Sequence, residues 1–338
     1  MKTMHNMNKK FVSFLLLLFV TFNHAQEKTN PKGSPNFKVF WNYHNEFTKD
    51  LAQNSAFELK HVFLGYAYTF NKNISAKITY DIGSNSEDSA YTAYVKTAQL
   101  DWKLNPKIKL SLGLIGTKQF KEQKDLWGYR YVLKTFQNEY KFGASADLGF
   151  NSEFTLTHKL KMNLFVLNGE GHKNLQDIDG NQRIGISLIY SLPKGISTKF
   201  YYDSHPTKGS NSISNTSFYV GYKGDNSRIA VEYNKLNNAR TYKSAAADHN
   251  KDGFSLYGAK KINSKYEIFG RFDQVNSNVL KDESNSWNYN NDGSLIILGA
   301  QHQAVKGIKL SLNYRLFKYK NSIINNKSAV YLNAEFKI

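Results

Sequence analysis

Polar and apolar residues alternate along much of this chain. From Lys72 to Ile82, Ile74, Ala76, Ile78, Tyr80 and Ile82 share one face, while Ser75, Lys77, Thr79 and Asp81 share the other. The segment from Arg183 to Leu192 repeats the pattern, as does Gly307 to Lys318. A period of two is that of a strand with unlike faces, whereas a helix would space its apolar residues by three and four. Such segments fall at 37–47, 57–70, 73–82, 91–104, 107–116, 142–151, 155–167, 182–192, 196–203, 215–223, 227–235, 253–262, 265–275, 293–304, 307–318 and 328–338, sixteen in all. Most are close to the ~9–11 residues a tilted strand needs to cross a bilayer.

The links between them alternate in length. Tight ones sit at Asn71-Lys72, Asn105-Pro106, Pro193-Lys194-Gly195, Gly224-Asp225-Asn226, Asn263-Ser264 and Val305-Lys306-Gly307. Longer polar stretches occupy 48–56, 83–90, 117–141, 168–181, 204–214, 236–252, 276–292 and 319–327. A β-sandwich has no reason to sort its loops this way. Short turns at one end and long loops at the other predict an all-β fold, a transmembrane antiparallel up-and-down barrel of sixteen strands. In the last segment Val330, Leu332, Ala334, Phe336 and Ile338 face one way, and Phe336 and Ile338 are the expected closure and assembly signal. A barrel leaves no free edge, so this segment must pair with 37–47.

The N-terminal residues predict the compartment. Lys9 and Lys10 precede a twelve-residue apolar run, Phe11 to Phe22, and Asn23-His24-Ala25 offers a cleavage site. This is a signal-peptide pattern over 1–25, too short for the ~20 apolar residues of a spanning helix. A short periplasmic segment over 26–36 and a barrel over 37–338 are then expected, with no plug domain of the kind an energy-gated transporter carries. The absence of cysteine excludes both a lipid anchor on cysteine and disulfide staples.

Composition agrees with the pattern. Mean hydropathy is −0.54, yet the chain holds 22 Tyr and 23 Phe, so its apolar residues are dispersed by alternation rather than gathered in runs. The formal charge is +18, and removing Lys2, Lys9 and Lys10 leaves +15. On the face opposite the lipid, the expected lumen cations include Lys38, Lys77, Lys103, Lys109, Arg183, Lys199, Arg228, Arg271, Lys309, Arg315 and Lys337. Pairing with neighbouring carboxylates such as Asp81, Glu267 and Asp273 accounts for some of them, but the surplus is basic. A basic lumen between low-dielectric walls favours anions.

The longest loop, 117–141, carries Lys118, Lys121, Lys124, Arg130 and Lys134 beside Phe120, Leu126, Trp127, Tyr129, Tyr131, Val132 and Phe136. So many apolar side chains predict that it folds inward, buries them on the wall and presents its cations to a constriction. With Arg183, Arg228, Arg271 and Arg315, these five cations form the candidate pore lining. A packed external cap or a contact between protomers is the competing reading of the loop.

Other chemistry is weakly signalled. Asp177-Ile178-Asp179-Gly180-Asn181 has the spacing of a calcium loop, but Leu188 stands where the bidentate Glu belongs, so a turn is expected. Asp203-Ser204-His205 contains triad residue types without a nucleophile elbow. No zinc spacing, phosphate-binding loop or catalytic set stands out, so neither metal nor cofactor is expected. A leader and a lipid-facing stripe argue against nucleic acid as partner.

Four stretches carry a family resemblance: Leu114 to Gln119, Trp127-Gly128-Tyr129-Arg130, Gly143 to Gly149, and Asn168-Gly169-Glu170-Gly171. Together they resemble the outer-membrane porins of Bacteroidota related to the phosphate-selective porins O and P. That resemblance implies a sixteen-stranded, often trimeric channel narrowed by an inward third loop. It also implies an arginine ladder and a lysine cluster in phosphate-selective members, and here arginines and lysines are scattered without a ladder. The expectation is passive diffusion of small anionic or neutral solutes such as phosphate, in a barrel surrounded by outer-membrane lipid, inserted by the assembly machinery and trimeric. The rivals are a barrel lipase or protease and a non-conducting structural or adhesive barrel.

Overall fold

The computed structural model describes residues 31–48, 54–84, 91–176, 180–207, 210–241 and 244–338. The expected signal peptide and the Asp177-Asp179 turn lie outside them. Sixteen antiparallel strands close into one barrel: β1 (Lys32–Glu46), β2 (Asn54–Thr69), β3 (Ile74–Ser84), β4 (Tyr91–Asn105), β5 (Ile108–Gly116), β6 (Ala146–Thr155), β7 (Leu160–Leu167) and β8 (Arg183–Ser191) make the first half. The second half is β9 (Ile196–Thr207), β10 (Ser210–Lys223), β11 (Ser227–Asn237), β12 (Lys251–Lys261), β13 (Tyr266–Ser277), β14 (Gly293–Val305), β15 (Ile308–Tyr319) and β16 (Lys327–Lys337). Each strand pairs with its chain neighbours, and β16 returns to β1 with Val39 opposite Phe336 and Asn42 opposite Asn333. Every ladder is therefore satisfied within the wall, which hydrocarbon demands.

The alternation sets the faces. On β14, Leu298 is 60% exposed toward the outside and its neighbour Ile297 is fully buried on the inside. On β15, Leu312 is equally exposed and Asn313 is buried. Outward leucines, isoleucines and aromatics form the belt for lipid, and the inward partners form a polar interior.

Four local features depart from the pattern read along the chain. β1 begins at Lys32, inside the expected N-terminal segment, with Lys32 opposite Thr69 and Asn36 opposite Gly65. The β16 ladder starts only at Lys38, so Pro35 sits on a one-sided edge where a missing N–H costs little. The sixth strand starts at Ala146, not 142, because Phe142 is drawn into an inner cluster with Phe136, Ile213 and Leu236. It runs on to Thr155, and the turn that follows is 156–159. Finally, much of the expected loop 204–214 is strand, in which polar residues alternate without a lipid-facing stripe.

Two bulges reset the parity of the wall. The β1–β2 register jumps between Phe40 and Trp41, leaving Lys60 as an extra residue on β2. The β3–β4 register jumps between Thr79 and Tyr80, leaving Lys96 extra on β4. Above each jump the outward residues are odd-numbered (Phe57, Val95), and below it they are even-numbered (Leu64, Ala98). A bulge re-aims side chains in this way.

Candidate constriction inside the barrel

Between β5 and β6 the segment 117–145 lies against the inward face of the wall. It holds two short helices, α1 (Lys121–Trp127) and α2 (Phe136–Glu139). Gly128 ends α1 with φ 70°, and its N–H returns to the Lys124 carbonyl at 3.1 Å. That left-handed position suits a residue without Cβ. It turns the apolar residues on either side toward one cluster, where Leu126, Trp127, Tyr129, Tyr131 and Val132 pack with Phe40, Tyr219, Tyr257, Phe269 and Ile297 of the wall. Trp127 meets Tyr257 and Phe269 edge to face at 5.6 and 6.0 Å, and its indole N–H donates to the Leu133 carbonyl at 2.9 Å.

Wall side chains grip this segment mainly by its backbone. Arg228 Nε donates to the Leu126 carbonyl at 2.8 Å, Asn333 Nδ2 to that of Tyr131 at 3.3 Å and Arg315 Nη2 to that of Val132 at 3.0 Å. Arg271 donates to the Lys134 carbonyl, Lys251 to that of Tyr140 at 2.6 Å, and Lys199 to that of Lys118. Side-chain contacts add to these: Tyr129 donates to Glu267 at 2.6 Å, Tyr131 to Gln301 at 2.9 Å and Gln137 to Ser217 at 3.1 Å. Burial raises the Tyr129 and Tyr131 hydroxyls above their usual range, so both remain donors at any ordinary pH.

The other edge of the segment faces β1 to β4. Arg130 reaches across: its Nη2 lies 3.4 Å from His61 Nε2, and its guanidinium sits 5.9 Å from the Phe40 ring centroid. His61 Nδ1 is 2.7 Å from Asp81 Oδ1, and Lys96 Nζ is 3.1 Å from Asp81 Oδ2. Desolvation inside the barrel lowers the Lys124 ammonium although its side chain reaches open space; Asp125 opposes the shift, while Lys121, Lys38 of β1 and Lys77 of β3 reinforce it. Burial also lowers Lys134; Glu139 opposes this, and Arg130, Lys173 and Lys60 add repulsion. Cations thus stand on both sides of the gap between the segment and β1 to β4.

The sequence-derived pore candidates divide into three groups. Lys124, Arg130 and Lys134 lie on the edge facing β1 to β4, and Lys121 and Lys118 continue it, paired with Asp125 and with Glu153 at 3.3 Å. Arg228, Arg271 and Arg315 stand behind the segment as its anchors. Arg271 is buried and also holds Asp273 at 2.7 Å. Arg183 is buried in the wall, 3.0 Å from Asp203. Asp203 and His205 point inward, Ser204 outward, and Asp203 also takes the Tyr201 hydroxyl at 2.5 Å, so the three do not converge. Phe336 lies 6.2 Å from Phe37 on the outer face, and the Ile338 N–H donates to the Phe37 carbonyl at 3.1 Å. Sequence reasoning missed Lys60, His61 and Lys96, two of them bulge residues and one beside a bulge. Among the described residues no group of three His, Asp or Glu is placed to hold a metal ion.

No family model matches the chain, and no curated protein matches it in sequence. Solved structures do match in shape. The outer membrane channel DcaP of Acinetobacter baumannii superposes with a TM-score of 0.70 at 10% identity, over 93% of this chain and 100% of that one. An anion-selective porin from Comamonas acidovorans gives 0.67 at 11% identity, over 91% and 100%. The trimer form of OmpT, an outer membrane protein of Vibrio cholerae, gives 0.60 at 14% identity, over 90% and 99%. At such identities the likeness is one of fold, and the fold is the sixteen-stranded barrel of outer-membrane porins.

Proposed function

We propose that this chain is an outer-membrane porin for passive diffusion of small solutes, with a preference for anions. The observation that carries the reading is the infolded segment, whose lumen-facing edge bears Lys124 near Lys38 and Lys77, Arg130 near Lys38 and Lys96, and Lys134 near Lys60. A solute crossing there passes between two basic surfaces in a low-dielectric enclosure, which concentrates anions and repels cations. Inorganic phosphate belongs to that class of solute, and the resemblance to Bacteroidota porins related to the O and P proteins is part of the same reading. So are insertion by the barrel-assembly machinery and assembly into a trimer, a form the Vibrio cholerae neighbour also takes. The reading involves no catalysis.

Reversal potentials in planar bilayers under a KCl gradient test it, and the expected sign is that of chloride permeation. One charge about 6 Å from a passing ion in a water-like dielectric is worth ~0.7 kcal/mol. Lys124→Glu should therefore shift the anion-to-cation permeability ratio by roughly tenfold, after salt screening, toward cations. A cation-selective wild type refutes the anion preference. A second reading, a filled barrel that conducts nothing, is favoured by Arg130, which touches the far wall at His61; absence of any unitary conductance would establish it.

A further inference from the structure

At the long-loop end of the lumen lies a separate recess of about 350 Å3. Its floor is the end of the infolded segment, Glu139 to Lys141, and its walls are the ends of β12, β13, β15 and β16 with part of the loop 278–292. Four cations line it: Lys141, Arg240, Lys251 and Lys327. The one carboxylate of the lining, Glu139, is engaged by Lys134 at 4.0 Å. Among the described residues no carboxylate lies within ion-pair distance of any of the four cations.

Lys251 is the informative member. It is 5% exposed, gives one N–H to the Tyr140 carbonyl at 2.6 Å, and stands 5.0 Å from the Phe142 ring centroid. An ammonium has three donors, so that bond uses only part of its capacity. The acidic group that acts on it is Asp292, but this carboxylate already takes the Ser277 amide and hydroxyl, the Ser286 hydroxyl and the Asn288 amide. A buried cation whose nearest acid is saturated by other donors is unusual, because burial of a charge is costly without compensation. Lys141 adds a second irregularity: its backbone is left-handed, with φ 59°, a conformation that a residue with Cβ adopts only at a cost.

The rest of the lining is aromatic. Phe317 and Tyr319 pack edge to face with centroids 4.7 Å apart, Tyr140 stands on the floor, and Lys327 Nζ lies 6.0 Å from the Tyr319 ring. The volume falls near the lower end of small-molecule sites, ~300–1,000 Å3. Cations alone would suit any anion. Cations beside ring faces suit an anion that carries a ring face of its own, either a planar aromatic face or the C–H face of a pyranose.

We propose that this recess captures a carboxylate borne on a six-membered ring, and that it concentrates such acids at the entrance of the channel. The entrance role rests on the porin reading above; the binding itself does not. The test is isothermal titration of the full-length barrel in detergent with glucuronate, benzoate, glucose and inorganic phosphate, with unitary KCl conductance measured in parallel. Glucuronate or benzoate should occupy one site per chain at least about tenfold more tightly than glucose or phosphate, each tenfold being ~1.4 kcal/mol. Which of the two acids binds tells a sugar acid from an aromatic one, and either supports the site. Arg240→Ala and Tyr319→Ala should each weaken the bound acid by about tenfold, and neither residue anchors the infolded segment. Phosphate binding as tightly as the ring acids overturns the proposal, as do affinities that neither variant changes or no binding at all. A conducting barrel that binds nothing refutes the recess and leaves the channel; a binding barrel that conducts nothing does the reverse.

Discussion

Arg228→Met should loosen the infolded segment without disturbing the barrel. Arg228 touches the segment twice, through Nε to the Leu126 carbonyl at 2.8 Å and through its guanidinium, 5.0 Å from the Tyr129 ring centroid. It also holds Glu267 with two guanidinium nitrogens, and Glu267 takes the Tyr129 hydroxyl at 2.6 Å. Methionine fills much of the stem but donates nothing. A hydrogen bond from a charged donor contributes ~1.5–3 kcal/mol. Leaving the carboxylate without its cation costs up to ~3–5 kcal/mol when fully buried. Glu267 keeps the Tyr129 hydroxyl and has an 11% exposed side chain, which places its share well below that range. The total is about 3 kcal/mol, or roughly a hundredfold rise in the undocked fraction. Amide hydrogen exchange in detergent reads this directly as local opening. The Gly128, Val132 and Leu133 amides, bonded to Lys124 and Tyr129 carbonyls, should exchange roughly a hundredfold faster, with the β6 and β7 amides unchanged. Unchanged exchange at 128–133 refutes the anchoring role. Equal acceleration throughout the strands assigns Arg228 to the barrel as a whole.

Deleting 120–138 should raise unitary conductance, because the deletion removes the apolar body that fills the lumen beside Tyr257 and Phe269; equal conductance refutes the inward constriction. Leu298→Arg on the lipid face should cost ~2–4 kcal/mol in equilibrium refolding into vesicles if the residue lies near mid-bilayer. A change within ~0.5 kcal/mol refutes that placement of the outward belt. His172 gives a pH window. Its main-chain N–H donates to the Ala146 carbonyl at 3.1 Å, and burial, reinforced by Lys96 and Lys173 against Asp81, pushes its imidazole from 6.5 down to about 4. A detached loop binds the proton more readily, so docking is fully stable above about pH 6.5 and weakens as pH falls toward 4. Exchange of the 168–176 amides should accelerate over that window, and His172→Gln should flatten the profile; a flat wild-type profile overturns the assignment.

The strands were legible because the bilayer imposes one rule on every one of them, an apolar side chain at each second position. Where that rule lapses, legibility lapses too. Residues 204–207 and 210–214 form strand without a lipid stripe, and Phe142 belongs to an inner cluster although its neighbours alternate. The parity jumps at Lys60 and Lys96 are marked along the chain only by a switch of the outward residues from odd to even positions, a weak signal within a single short strand. The candidate site was legible in its loop and only partly in its wall. Alternation says that Arg271 and Arg315 point inward. It does not say whether inward means water or the back of another segment, and that depends on which side of the lumen 117–145 covers.

The grip on main-chain carbonyls has a consequence for how such a channel can be altered. Leu126, Tyr131, Val132, Lys134 and Tyr140 are held by their peptide oxygens, which every residue type supplies. Docking at those points is indifferent to the side chain attached. The lumen-facing edge at Lys121, Lys124 and Lys134 is then a replaceable fitting on a fixed mount, whose charge can be exchanged one position at a time while the mount stays in register. Permeability and folding are written in different atoms of the same residues.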